Sequence, residues 1–233
     1  MRLKTCLMTA AFALSLGLAP AFAGPVRDAE AKIADAYGDY RAALYLTNQK
    51  KKAETEAALT AFKTKWTALT TAWRTTPPPQ YADDGKLGET LDTVAKLTDE
   101  ATKLANAGDL AKSHDVLEGI RDALGALRAR NGIITFSDRM NAYHSVMEHV
   151  YDHKYDSPAA MGEDVAVLAY LIKEIGENRP AGVDAAAYDP LFKAMEGSVA
   201  ALKAAIKGGD AAAIDTARKA IKPAYSRLFL KFG

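Results

Sequence analysis

Cysteine is almost absent: the 233-residue chain has one, Cys6. A single thiol cannot build a disulfide scaffold, a cysteine-type zinc site or an iron–sulfur cluster. An excess of charge of one sign is also lacking. Lys and Arg total 30 against 29 Asp and Glu, so the charge balance points to neither nucleic acid nor an anionic membrane. Segments in which β-branched residues alternate with polar ones are missing. The longest β-branched run, Ile133-Ile134-Thr135, follows a glycine. Catalytic signatures are lacking as well: there is no Glu-x-x-His, His-Glu-x-x-His, Gly-x-Ser-x-Gly or phosphate-binding glycine loop. Asp83-Asp84-Gly85 lacks the ligand spacing of an EF-hand. No enzyme class is therefore expected.

What is present starts with a leader. Arg2 and Lys4 precede an uncharged apolar stretch, Leu7 to Leu18, and Ala21-Phe22-Ala23 supplies small residues where signal peptidase reads. The pattern predicts a secretory signal over 1–23, cleaved after Ala23, and a periplasmic protein. The leader holds two basic residues and no acidic one, which leaves 28 basic against 29 acidic residues and no cysteine beyond it. Covalent haem attachment through Cys-x-x-Cys-His is then excluded, and no further run is long enough to span a membrane.

The remainder reads as helix almost throughout, being rich in Ala, Leu, Lys, Glu and Asp. Breaks at Thr47-Asn48, Pro77-Pro78-Pro79, Gly108-Asp109, Asn131-Gly132, Ser157-Pro158, Asn178-Arg179-Pro180 and Gly208-Gly209-Asp210 predict about eight helices. These are 27–47, 49–74, 84–107, 109–130, 137–155, 161–177, 185–207 and 210–230. Leu59, Phe62, Trp66, Leu69 and Trp73 form one apolar stripe on the second; Leu110, Leu117, Ile120, Leu124 and Leu127 form another on the fourth. The proline triplet predicts a stiff extended linker, and Pro223 a kink in the last helix. The fold class is all-α, built of antiparallel helical bundles. An echo at an offset of 101, matching Ile120 to Ile221 and Leu127 to Leu228, allows two four-helix units, 24–131 and 132–233, as an alternative to chance helical similarity.

The last helix opens after Gly209-Asp210 and runs from Ala211 to Phe232. In this the chain resembles periplasmic cytochromes of the b562 and c′ kind. The resemblance implies a helical-bundle architecture. It does not extend to the haem, because the terminal helix has neither Cys nor His.

Histidine is the chemically pointed residue type. His114, His144, His149 and His153 fall within forty residues, three of them on the fifth helix. His149 and His153 lie four apart, as do His114 and Glu118, so each pair shares a helical face. If the fourth and fifth helices pack antiparallel about 131–136, facing residue numbers sum to about 267. His114 then meets His153, and Glu118 meets His149. Three imidazoles and a carboxylate suit a divalent transition metal such as Cu, Zn or Fe. Asp152, Asp156 and Glu148 are nearby alternatives, and His144, Glu148 and Asp152 make a competing ladder on another face. The functional expectation is a periplasmic metal carrier, buffer or delivery protein with sites at His114, Glu118, His149 and His153. Its partners would be the metal ion and a periplasmic or inner-membrane transport protein. The alternatives are a metal-free helical interaction module and, behind it, electron transfer through non-covalent haem.

Overall fold

The computed structural model describes residues 24–233; the expected leader and its cleavage site lie outside them. The described residues form eight α-helices and no strand: α1 Pro25–Asn48, α2 Lys52–Thr75, α3 Leu87–Asn106, α4 Leu110–Arg130, α5 Phe136–Asp152, α6 Pro158–Glu177, α7 Ala185–Gly208 and α8 Ala211–Phe232. None of them is long and apolar enough to cross a membrane.

Local chemistry sets the ends. Asp109, Ser157, Asp184 and Asp210 each cap a helix by accepting from a backbone N–H in its first turn. Thr135 and Asp138 form a reciprocal capping box at the start of α5. Gly209 ends α7 in the left-handed region, at φ 74°, where a side chain would be strained.

The proline triplet differs from its expectation. Only its start is extended: Pro79–Tyr81 close into a 3-10 turn. The turn buries the Tyr81 ring completely, and its hydroxyl donates to Glu30 Oε1 at 2.6 Å. Burying an aromatic ring outweighs the stiffness of the linker. α8 continues as helix on both sides of Pro223.

The apolar stripes decide the packing. Leu59, Phe62, Trp66, Leu69 and Trp73 of α2 are all buried, as are Leu117, Ile120, Leu124 and Leu127 of α4, whereas Leu110, the first residue of α4, is only partly buried. α1 packs on α2, α2 on α3, α3 on α4, and α4 back on α1. In the same way α5 packs on α6, α6 on α7, α7 on α8, and α8 back on α5. The two rings join where α1 lies against α8, and their buried side chains form one continuous core. At that junction sit tyrosines: Tyr37 against Tyr40 at 4.7 Å between ring centroids, and Tyr143 stacked on Tyr225 at 5.6 Å.

α4 and α5 are consecutive, yet each packs mainly within its own ring. They are tied by polar bridges instead. Arg128 of α4 clasps Asp138 of α5 with Nε at 3.0 and 2.8 Å from the two carboxylate oxygens and Nη2 at 2.7 Å from Oδ1. Arg121 reaches His144 about two turns further along. The antiparallel register is therefore close to the expected one, and the rotation of α5 about its axis is what differs.

Candidate binding cleft and histidine sites

Because α4 and α5 meet through bridges, a cleft of about 1050 Å³ remains between the rings. α1 and α4 form one wall, and α5 and α8 the other. Its charged lining includes Glu118, Arg121, Glu148 and Lys222; its apolar lining includes Met147, Tyr225 and Phe229.

A relay crosses the cleft. Arg121 Nη1 donates to His144 Nδ1 at 3.2 Å. A guanidinium can only donate, so Nδ1 must accept and the imidazole proton sits on Nε2. That nitrogen faces Glu148 Oε1 at 3.4 Å, and Lys222 Nζ reaches the same oxygen at 2.9 Å. The hydrogen bond from His144, followed by the bond and charge of Lys222, holds the Glu148 carboxyl down at about 2 against the opposing effect of burial. The His144 ring lies over Tyr225, 5.2 Å between centroids. Of the competing ladder read from the sequence, the His144–Glu148 rung is thus formed.

His114 lines the same cleft from α4 but turns towards the end of α1. Its Nδ1 lies 3.1 Å from the Leu44 carbonyl and 2.8 Å from Thr47 Oγ1. The carbonyl can only accept. The Thr47 hydroxyl already donates its proton to that carbonyl at 2.7 Å, so Oγ1 also accepts from the histidine. Both contacts place the imidazole proton on Nδ1. The lone pair of the neutral ring is then on Nε2, whose neighbour is the Asn48 side-chain amide at 3.4 Å. Glu118, one turn along α4, also lines the cleft and touches Arg121 only loosely, at 3.5 Å.

His149 and His153 are placed elsewhere. α5 ends at Asp152, so His153 is its C-cap, in extended backbone with ψ 140°, and not part of the helical face predicted to run to 155. The ring stacks on His149 at 4.6 Å. His149 Nε2 points to Asp164 of α6 at 3.4 Å, and Tyr155 packs edge-on to both rings while donating to Asp164 at 2.6 Å. The expected meeting of His114 with His153 and of Glu118 with His149 is therefore corrected. His114 and Glu118 share the cleft, while His149 and His153 pair at the α6 side. The physical cause is that α5 buries the stripe Met140, Tyr143, Met147 and Val150 within its own ring, which turns His144 and Glu148 to the cleft and leaves His149 beside α6. Among the described residues no three His, Cys, Asp or Glu side chains converge as a metal-binding group.

Asn48, Arg121 and Lys222 are cleft residues that sequence reasoning did not single out. Asn48 reads from the sequence only as part of a helix break, and the cleft partners of all three, His114, His144 and Glu148, lie far away in the chain. Arg41, 9% exposed, is a further buried cation at the ring junction. It lies over the Tyr37 ring at 5.7 Å, and burial lowers its pKa.

Compared with known proteins, the chain matches no family model, no curated protein and no solved structure.

Proposed function

We propose that the protein is a non-enzymatic, exported metal-binding protein that takes a divalent transition metal on the cleft wall and acts as a carrier, buffer or delivery module. One observation carries the reading: His114 is held with its proton on Nδ1 and its Nε2 lone pair beside the cleft. A backbone carbonyl or hydroxyl on one ring nitrogen is the arrangement that fixes a ligating histidine and raises its basicity. Glu118 stands beside it, at 38% side-chain exposure, able to leave Arg121 for an ion. Nitrogen and oxygen donors without thiolate favour Zn²⁺, Ni²⁺ or Cu²⁺ over Cu⁺.

The test is a titration of purified, tag-free protein with Zn²⁺ at neutral pH. Binding to the wild type and to the His149→Ala/His153→Ala double variant, with loss in His114→Ala, is the expected pattern. Equal binding by His114→Ala and the wild type overturns the reading.

A second reading, a metal-free docking module, is favoured by the apolar rim of the cleft. Ile134 is 69% and Tyr45 39% exposed there. Absence of any metal binding at neutral pH puts this reading in front.

A further inference from the structure

We infer that Asn48 is the third protein ligand of the metal, so that the ion fastens the C-terminal end of α1 to α4 in a site with an open coordination position. The inference rests on the metal reading above and specifies its donor set as His114 Nε2, Asn48 Oδ1 and Glu118.

The geometry is the starting point. The terminal amide atom of Asn48 that faces His114 Nε2 is 3.4 Å away. Two donors bound to one tetrahedral ion at about 2.0–2.1 Å lie about 3.3–3.4 Å apart. The pair therefore already has the separation that a shared ion imposes. The amide places its nitrogen towards His114, as it must, since the imidazole lone pair needs a donor. A half-turn of the amide brings Oδ1 to the same place, and an amide oxygen is a suitable ligand for a divalent cation. Asn48 is the last residue of α1 and is exposed, so the turn disturbs no packing.

The third donor comes from spacing. Glu118 is four residues after His114 on α4, on the same face and one turn along. Its contact with Arg121 is long, whereas Arg121 keeps Asp122 at 3.4 Å and His144 at 3.2 Å when Glu118 turns to the metal. One imidazole, one carboxylate and one neutral amide leave a tetrahedral ion with one position for water or for a donor from a partner. Structural zinc sites fill all four positions with protein ligands, so this set binds exchangeably. Exchange is what a carrier needs, and a site shared by α1 and α4 makes binding stiffen the contact between them.

The experiment uses the full mature chain and Zn²⁺ alone, by competition against a chromophoric chelator. Asn48→Ala is expected to weaken binding by about tenfold or more, and Asn48→Asp, which supplies an anionic oxygen in place of the amide, to strengthen it by a similar factor. Gln49→Asp adds the same charge next door and is expected to change affinity less than Asn48→Asp does. Cu²⁺ loaded in place of Zn²⁺ is expected to give an EPR spectrum with one coupled imidazole nitrogen. If His114→Ala abolishes binding while both Asn48 variants bind like the wild type, the metal reading stands and the Asn48 inference falls. Equal gains from Asn48→Asp and Gln49→Asp also overturn it, because they reduce the effect to bulk charge. No binding by the wild type overturns both.

Discussion

Arg128 and Asp138 form a bidentate ion pair across the α4–α5 connection, with the Arg128 side chain only 3% and the Asp138 side chain 18% exposed. The same carboxylate closes the capping box on Thr135, accepting from its backbone N–H and hydroxyl at 2.8 Å each. One side chain thus both starts α5 and ties it to α4 at one end of the cleft that His144 and Glu148 line.

Removing one partner leaves the other charge buried. Asp138→Ala is expected to destabilise the fold by about 3–5 kcal/mol, measured by chemical denaturation, because the buried guanidinium loses its counter-ion. Loss of the capping interactions adds about 1 kcal/mol. A change below about 1 kcal/mol would mean that the pair does not hold α5 in place.

Glu148 provides the pH prediction. Its folded-state pKa of about 2 lies below the ordinary carboxylate value, so the pairing stabilises the fold at pH above about 4 and is lost as pH falls towards 2. The side-chain carbonyl of Glu148 is expected to show no NMR titration step near pH 4. His144→Ala, which deletes the largest contributor, is expected to move that step upwards. A wild-type step at about pH 4 would contradict the relay.

Thr47 is a positioning residue for His114. Its hydroxyl proton is committed to Leu44, so its oxygen accepts from Nδ1. Thr47→Val keeps the shape and removes that acceptor. The expected result is weaker Zn²⁺ binding by about tenfold together with a shift of the His114 tautomer populations, read by ¹⁵N NMR. A purely structural role would lower stability and leave the tautomer ratio unchanged.

The core of α4 predicts ordinary cavity costs. Leu124 is fully buried, so Leu124→Ala is expected to lower stability by about 2–5 kcal/mol in denaturant unfolding, with the cleft residues unaffected.

The all-helical fold was legible because the apolar stripes on α2 and α4 repeat at the helical period and the breaks carry cap residues such as Asp109 and Asp210. The site was legible only in part. His114 and Glu118 could be paired from their spacing, because i,i+4 geometry is local. Their relation to His149 and His153 was not, because it depends on which helices α5 buries its stripe Met140, Tyr143, Met147 and Val150 against, and these are α6 and α8 rather than α4. The end of α5 before His153 follows from the turn that leads to Ser157 and Pro158 at the start of α6. Asn48 carried the signal of a helix end but none of a ligand: its place beside His114 depends on the packing of α1 against α4, elements 66 residues apart at that contact.

The most direct test of the central claim is a long-range ¹H–¹⁵N NMR spectrum of the four imidazoles, recorded at neutral pH without and with one equivalent of Zn²⁺. Without metal, His114 is expected as the Nδ1–H tautomer and His144 as the Nε2–H tautomer. With Zn²⁺, the His114 Nε2 resonance is expected to shift while His149 and His153 keep their positions. Zn²⁺-dependent shifts confined to His149 and His153, with His114 unmoved, would contradict the account.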